Sequence, residues 1–236
     1  MKNIKWAFSA VFTAAVKYGY AKSNPVRAAD LPPEPIQRMA ALPTAAQLQQ
    51  LLDALDEETR MMVLLDCLTG LRPSELLALR RSAVDFKRRC LWVLEAVNHG
   101  DMHTPKYHRQ NRPIRLADAD LDLRIFMAKR PEARDEDWLF PNKTGTAPKE
   151  YVNLLGRKIQ PKAKELGLPH VTWRLLRHWH TTVLQDSGIP VKVAQERLGH
   201  SRPDILLKHY THVSSAKVDE AAEAVSSVFE KSVVAL

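Results

Sequence analysis

Apolar residues recur every three or four positions through most of the chain, which is the spacing of amphipathic helices. In residues 2–22 the apolar stripe consists of Trp6, Val11, Phe12, Ala15, Val16 and Tyr20. Leucines and methionines form similar stripes in residues 44–55 and 57–68, and a last stripe extends from Ser214 to Val234. The pattern predicts a mainly helical protein in which the leucine and methionine stripes are core.

Capping residues, glycines and prolines mark where several of these helices begin and end. Thr44-Ala45-Ala46-Gln47 is a capping-box pattern that opens a helix. Gly70 suits a helix C-cap, and Pro73-Ser74 suits the first turn of a new helix that ends near Arg80. Further helices are predicted over 117–129, from Pro148 with a perturbation near Pro161, after Arg174, after Pro190 as far as Leu198, and from Pro203.

Between these helices the apolar pattern changes to a period of two. Residues 90–94 and 112–116 alternate as strands do, and residues 83–86 supply a third short strand. These segments predict a small antiparallel three-stranded sheet. Between them, residues 99–109 are polar and basic, which is typical of a hairpin tip that reaches towards a ligand. The fold class is therefore α+β, with a mainly α-helical domain around the sheet.

The proline spacing divides the chain. Asn24-Pro25 ends the first helix, and Pro32, Pro33, Pro35 and Pro43 give residues 25–43 the character of an extended linker. We therefore expect a helical segment at 1–24, a linker at 25–43, a main domain at 44–213 and a C-terminal helix at 214–236. The first helix needs an apolar partner and is too short to be a domain.

Composition narrows the class of protein. The 236 residues are 45% apolar and 26% charged, typical of a globular protein, and their net charge of +8 favours a polyanionic partner. Cys67 and Cys90 lie in apolar segments, which indicates buried thiols and a reducing cytoplasm. No apolar run approaches the ~18 residues that span a bilayer, so no membrane partner is expected.

The candidate chemistry is concentrated between Thr172 and His212. Arg174 and Arg177, then His200, then Tyr210 are separated by apolar helical segments. Guanidinium groups bind two phosphate oxygens at once, and a phenol can attack a phosphodiester when cations favour its phenolate. The stretch therefore predicts a phosphate reaction centre. Irregularly spaced histidines in 99–109 lack the acidic or cysteine partners of a metal site.

Five motifs in this order resemble the tyrosine recombinase, or phage integrase, family over about 44–213. They are Thr69-Gly70-Leu71-Arg72-Pro73-Ser74-Glu75, Thr104-Pro105-Lys106, Arg174-Leu175-Leu176-Arg177-His178, Leu198-Gly199-His200-Ser201 and Tyr210-Thr211-His212. The resemblance implies that this is the family's catalytic domain, preceded by a helix remnant of an otherwise absent core-binding domain.

The resemblance also implies the roles of individual residues. Tyr210 is implied as the nucleophile and Lys106 as the acid that protonates the leaving 5′ oxygen, with Arg72, Arg177 and His200 holding the phosphate. Glu75 is implied as an orienting group for arginine, although a solvated first-turn carboxylate explains it equally well. Tyr107 is a rival nucleophile that lacks the following Thr-His.

One position departs from the family pattern. Arg174 stands where the family usually has histidine. Arginine can donate to a phosphate oxygen, but with a pKa above ~12 it hardly exchanges a proton. The position is therefore expected to stabilise charge without acid–base work, and turnover can be retained, slowed or lost.

The function implied is site-specific recombination of double-stranded DNA through a 3′-phosphotyrosyl intermediate. The covalent link keeps the energy of the phosphodiester, so we expect no cofactor, no metal and no small-molecule substrate. The resemblance implies tetramers on DNA, assembled through an exchanged C-terminal helix, and a mobile-element integrase in a bacterial or phage setting. Two alternatives stay open: an impaired or truncated DNA-binding integrase fragment, and topoisomerase-like relaxation of DNA.

Overall fold

A computed structural model of the chain describes residues 2–32, 41–98, 101–103, 112–116, 119–168 and 171–199. The chain divides into two units, Met1–Ala40 and Ala41–Leu236. The predicted helix from Pro203, the C-terminal helix at 214–236 and most of the hairpin tip lie outside the described residues. No helix within the described ranges is long and apolar enough to cross a membrane.

The first unit consists of helix α1, Lys2–Lys17, and a chain that folds back beside it. The apolar stripe of residues 2–22 predicted a longer helix. The helix stops earlier because Gly19 adopts a left-handed backbone at φ +79°, and Asn24 then donates from its amide to Ser9 O (2.9 Å) and Thr13 Oγ1 (3.0 Å). None of the described residues of this unit is buried, and Trp6 is 76% exposed.

The helices of the second unit follow the predicted pattern closely. In chain order they are α2 Ala45–Ala54, α3 Glu57–Thr69, α4 Pro73–Leu77, α5 Ala119–Ala128, α6 Tyr151–Leu154, α7 Gln160–Glu165, α8 Trp173–Asp186 and α9 Val191–Leu198. The predicted capping box is present at α2, where the Thr44 and Gln47 side chains each accept from the other's backbone N–H.

In the second unit two predicted helix limits were wrong, and both errors have the same cause. The helix after Arg72 was expected to reach Arg80, but Leu79 O accepts from Leu139 N at 2.8 Å, which draws the chain into extended pairing after Leu77. The helix expected from Pro148 begins at Tyr151, because Lys149 N donates to Phe140 O at 3.2 Å. In each case backbone pairing with another segment, distant for Leu79 and nearby for Lys149, overrides the local helix signal.

The perturbation predicted near Pro161 is present. Residues Leu155–Ile159 form a π-helical turn between α6 and α7, immediately before the proline. Proline lacks a backbone N–H and crowds the preceding turn, which explains why the regular hydrogen-bond ladder is interrupted there.

The predicted three-stranded antiparallel sheet is confirmed. Its strands β1 Val84–Asp85, β2 Cys90–Val93 and β5 Arg112–Arg115 are arranged in the order β1-β2-β5. In its register Cys90 is opposite Arg115 and Val93 is opposite Arg112. A separate antiparallel ribbon joins β3 Ala96–Asn98 to β4 Asp101–His103, so strand structure continues into the stretch that was expected to be a hairpin tip.

The core of the second unit lies between the helices and the inner face of the sheet. Helix α3 supplies its centre and packs along α8. The largest fully buried side chains come from α2 to α5, from β2 and β5, from the π-helical turn and from connecting segments: Leu51, Met62, Leu65, Leu71, Leu76, Leu77, Leu91, Ile114, Leu123, Leu139, Phe140 and Ile159. Burial of each such side chain contributes about 1.5–3 kcal/mol, so the leucine and methionine stripes are structural, as predicted.

Gly70 is required where α3 ends against α8 and α9. Its φ is +61°, and a Cβ built there would lie 2.6 Å from His180 Cδ2 and 2.7 Å from Leu198 Cδ2. Gly167 has a similar φ of +68° but no neighbouring atom within 4 Å of such a Cβ. A side chain at Gly167 would therefore add backbone strain alone, whereas a side chain at Gly70 would add steric overlap as well.

We expect Gly167→Ala to lower the free energy of unfolding by about 1–2 kcal/mol through the left-handed backbone alone. Gly70→Ala should lower it by about 1–3 kcal/mol more, because the added methyl group overlaps packed side chains. Urea unfolding of both variants measures the difference. Equal losses in the two variants would contradict the close approach at Gly70.

Candidate active site

Arg72 lies in the turn between α3 and α4, immediately before Pro73 opens the new helix. Its guanidinium Nη1 donates to Glu75 Oε1 at 2.8 Å, and its backbone N–H donates to Glu75 Oε2 at 3.0 Å. The carboxylate thus caps the first turn and holds the arginine at the same time. The Arg72 side chain is 42% exposed, so the protein covers it only partly.

Arg177 extends from α8 to the same place. One guanidinium nitrogen donates to Gly70 O, and Nη2 donates to Leu198 O at 2.8 Å. Burial and the nearby charge of Arg72 lower the pKa of Arg177 to about 10, which leaves it protonated at neutral pH. The structure therefore brings together two arginines that are 105 residues apart in the chain.

Three consecutive carbonyls at the end of α9 each accept from a different arginine. Arg112 Nε donates to Arg197 O (3.1 Å), Arg177 Nη2 to Leu198 O (2.8 Å) and Arg72 Nη2 to Gly199 O (3.2 Å). Carbonyls at a helix C-terminus carry partial negative charge and lack helical partners, so cationic donors suit them. These three hydrogen bonds connect the last turn of α9 to β5, to α8 and to the turn before α4.

Glu75 is the acidic centre of this cluster. Its side chain is 4% exposed, and Arg112 Nη2 donates to Oε2 at 2.8 Å. Burial alone would raise the pKa of Glu75, but the charges and hydrogen bonds of Arg112 and then Arg72 outweigh it and lower the pKa overall. An ionised carboxylate whose oxygens are both occupied by guanidinium groups fits an orienting role better than proton exchange.

A neutral histidine links α3 to α9 beneath the arginines. His180 is buried and its Nδ1 lies 2.8 Å from Cys67 O, while Arg197 Nε donates to its Nε2 at 3.3 Å. These partners require Nδ1–H as donor and Nε2 as acceptor, which is the neutral tautomer. Burial lowers the pKa of His180 to about 4, in agreement with that assignment. His180 therefore has a structural place.

Asp66 on α3 is fully buried near the same cluster. Neither of its carboxylate oxygens has a hydrogen-bond partner among the described residues. Burial raises the pKa of Asp66 well above its usual range, although the Arg177 charge opposes the shift. This residue was not a sequence candidate, and its lack of hydrogen-bond partners makes the charged form costly.

The remaining sequence candidates fall outside this cluster or outside the described residues. Arg174 is exposed on the first turn of α8, one turn before Arg177. Lys106, His200 and Tyr210 lie outside the described residues, as does Tyr107. Among the residues that are described, no group of three or more His, Cys, Asp or Glu side chains is placed to hold a metal ion.

Arg112 and Arg197 are the members of the cluster that the sequence motifs did not indicate. The strand 112–116 was predicted, and its alternation places Arg112 on the same face as the apolar Ile114, but alternation does not show that Arg112 contacts Glu75. Arg112 is 11% exposed, whereas Arg115 on the same strand is exposed. The available signal was an arginine in phase with the apolar Ile114 of a predicted strand, since a charged side chain on a core-facing position needs a partner.

The low pKa of Glu75 predicts a pH-dependent contribution to stability. Because its folded pKa is below its unfolded value of about 4.3, its contribution is present above that value and is lost as pH falls through the folded pKa. Glu75→Gln should lower the free energy of unfolding at pH 7 by about 3–5 kcal/mol, since it leaves the largely buried Arg112 without its carboxylate.

Chemical denaturation from pH 7 to pH 3 measures this effect, and the gap between wild type and Glu75→Gln should narrow below about pH 4. Glu165→Gln is the control, because Glu165 pairs with Lys162 with both side chains over 40% exposed. The control should change stability by less than about 1 kcal/mol at any pH. A pH-independent gap for Glu75→Gln would contradict the assigned ionisation.

Comparison with known proteins gives the same assignment as the motifs. Residues 43–217 match the phage integrase family. A XerC-like tyrosine recombinase of Caldanaerobacter subterraneus subsp. tengcongensis is 26% identical over 251 residues, which cover 92% of this chain and 63% of the relative. The XerC tyrosine recombinase of Corynebacterium efficiens is 33% identical over 171 residues, covering 72% of this chain and 51% of the relative.

The integrase of Salmonella phage P22 is 25% identical over 194 residues, covering 78% of this chain and 47% of the phage protein. This chain thus spans about half to two thirds of the curated relatives it matches.

Solved structures share the fold at lower identity. The integrase of transposon Tn1549, solved in complex with a circular intermediate DNA, superposes with a TM-score of 0.78 at 22% identity, covering 95% of this chain and 78% of the integrase chain. XerA recombinase superposes with a TM-score of 0.60 at 21% identity, covering 94% of this chain and 82% of its own. With the arginine cluster, the family match over residues 43–217 shows that this chain belongs to the phage integrase family.

Proposed function

We propose that this protein is a site-specific DNA recombinase that cleaves and rejoins DNA through a 3′-phosphotyrosyl intermediate. The observation that carries the proposal is the meeting of Arg72 and Arg177 on adjacent carbonyls, Gly199 O and Leu198 O. Two fixed guanidinium groups at one point form a cationic site for a phosphodiester. The relatives named as recombinases and integrases support this use of the site.

The arginines act on the charge that develops during cleavage. A phosphodiester carries one negative charge and its five-coordinate transition state about two, so donors that are already in place lower the barrier. The partly exposed Arg72 side chain is available to the phosphate, while its Nη1 and Nη2 remain on Glu75 and Gly199 O. Preorganised donors require little rearrangement when the charge appears.

The remaining roles come from the family motifs. Tyr210 is the nucleophile, His200 a further phosphate donor and Lys106 the acid for the leaving 5′ oxygen. Arg174 adds a positive charge beside Arg177 without exchanging protons. Glu75 orients Arg72. Return of the original 5′ hydroxyl reseals the strand, whereas attack by a partner strand's hydroxyl exchanges it.

Domain organisation and partners follow the family pattern. Residues 1–24 form the last helix of a core-binding domain, residues 25–43 the linker and residues 44–213 the catalytic domain. The exposed apolar side chains of α1 fit a helix that belongs to a larger domain. Double-stranded DNA is the substrate. We place tetramer assembly on DNA at the C-terminal helix, residues 214–236, and the protein in the cytoplasm with the nucleoid.

Covalent capture tests the nucleophile. A pool of nicked duplexes of random sequence, each with a bridging 5′-phosphorothiolate, traps the phosphotyrosyl adduct because the thiol leaving group cannot reverse the step. Wild type should form an adduct that survives denaturing gels, and sequencing of the captured DNA should give the preferred site. Tyr210→Phe should form none, and Arg177→Lys should slow the adduct about 100- to 1,000-fold.

Tyr107→Phe is the matched control, since it removes the other candidate phenol. Its adduct should form at the wild-type rate. An adduct that needs Tyr107 instead of Tyr210 would overturn the assignment. DNA binding by wild type without any adduct would favour the second candidate function, a DNA-binding integrase fragment, which the unusual Arg174 motivates. Plasmid relaxation that needs no preferred site would favour the topoisomerase-like reading.

DNA binding by this chain should be weak and salt-sensitive. Each phosphate contact contributes about −0.9 to the slope of log affinity against log salt. Because Arg174 is exposed beside the site, Arg174→Gln should reduce that slope by about one. Arg134→Gln is the control, because Glu136 and Asp137 already lie within 3.6 Å of the Arg134 guanidinium. Nanomolar, sequence-specific binding at physiological salt would contradict this prediction.

A further inference from the structure

Arg112 is a third arginine of the cluster, and none of the family motifs used above includes it. It begins β5, on the edge of the three-stranded sheet, and its side chain is only 11% exposed. Its three guanidinium nitrogens all donate to protein acceptors. A side chain that is covered and fully engaged in this way is poorly suited to binding DNA itself.

The first attachment of Arg112 is to Glu75. Nη2 donates to Oε2 at 2.8 Å and Nη1 to Oε1 at 3.4 Å, so the planar guanidinium lies along both carboxylate oxygens. Arg72 shares the same oxygens through Nη1 and its backbone N–H. A bidentate pair fixes the orientation of a carboxylate more strongly than a single contact does. The direction in which Glu75 holds Arg72 therefore depends on Arg112.

The second attachment is to the last turn of α9. Arg112 Nε, the guanidinium nitrogen that does not contact Glu75, donates to Arg197 O at 3.1 Å. Gly199 makes room for this contact: its φ is +64°, and a Cβ at that position would overlap the Arg112 guanidinium. The absence of a side chain at Gly199 thus matches the position of Arg112.

We propose that Arg112 is a positioning residue for DNA cleavage, which holds Glu75 and the end of α9 in a fixed relation so that Arg72 and the α9 carbonyls form one site. This proposal rests on the proposed recombinase function. Strand β5 then contributes to DNA cleavage through Arg112, in addition to its packing in the core. The proposal also explains why a buried carboxylate shares its oxygens between two arginines when one would neutralise it.

Single-turnover cleavage of the captured phosphorothiolate duplex, at saturating DNA, tests the proposal. Arg112→Gln should slow adduct formation about 10- to 100-fold, because small misplacements of binding groups have effects of that size. DNA affinity should stay within about twofold, since the side chain is covered. Arg112→Lys keeps the positive charge but loses the planar guanidinium that contacts both carboxylate oxygens. Its rate of adduct formation should lie between those of wild type and Arg112→Gln.

Arg115→Gln is the control on the same strand. It removes the same charge from an exposed side chain whose guanidinium donates to Arg88 O, away from Glu75. It should cleave at the wild-type rate when DNA is saturating.

A double-mutant cycle with Glu75→Gln separates positioning from general destabilisation. If Arg112 acts through Glu75, Arg112→Gln should slow cleavage much less in the Glu75→Gln background than in wild type. The proposal would be overturned if Arg112→Gln slowed cleavage by the same factor in both backgrounds. A wild-type cleavage rate for Arg112→Gln would overturn it as well. If Arg112→Gln does not fold, the cleavage rate of Arg112→Lys is measured instead. A wild-type cleavage rate for Arg112→Lys would overturn the proposal.

A second measurement does not depend on cleavage. In ¹³C spectra of labelled glutamate carboxyl groups, with Glu75→Gln used for assignment, the Glu75 pKa should rise in Arg112→Gln or Arg112→Lys. An unchanged Glu75 pKa would overturn the positioning role. If wild type forms no DNA adduct but the Glu75 pKa rises as expected, the recombinase function fails while the link between Arg112 and Glu75 stands.

Discussion

The buried carboxylate of Glu75 is the interaction on which the candidate site depends. Arg72, Arg112 and Arg177 converge within a partly dehydrated region where like charges repel strongly. One ionised carboxylate accepts from two of them and offsets part of that repulsion. Without it, the three guanidinium groups would be expected to separate or to draw in a counter-ion. The cluster keeps a net positive charge, which is what an anionic substrate requires.

The fold supplies the other acceptors through helix ends. Helices α3 and α9 both terminate at the cluster, and their last carbonyls receive arginine and histidine donors from α8, α9, β5 and the turn before α4. Side chains therefore satisfy carbonyls that would otherwise need water. The same contacts stabilise the helix ends and aim the arginines, so stability and the geometry of the site have a common origin.

The sequence predicted most of the described elements because their signals are local. The Thr44 capping box, the C-cap at Gly70 and the alternation in 90–94 require no knowledge of distant residues. The errors arose where distant segments pair, as at Leu79 with Leu139, and at Gly19 where a glycine ended α1 early. Ordered motifs indicated Arg72, Glu75 and Arg177. Arg112 was missed because alternation gives the inward face of the strand but not the distant carboxylate, Glu75, that the side chain contacts there.

The hydrogen bonds to the three carbonyls at the end of α9 determine the stage of folding at which the site forms. Their donors come from residues 72, 112 and 177, which belong to a turn, a strand and a helix that meet only in the finished fold. A partly folded chain can form any of these elements alone without assembling the arginines. Assembly of the arginine cluster is thereby coupled to complete folding, and a partly folded copy of the chain lacks the site.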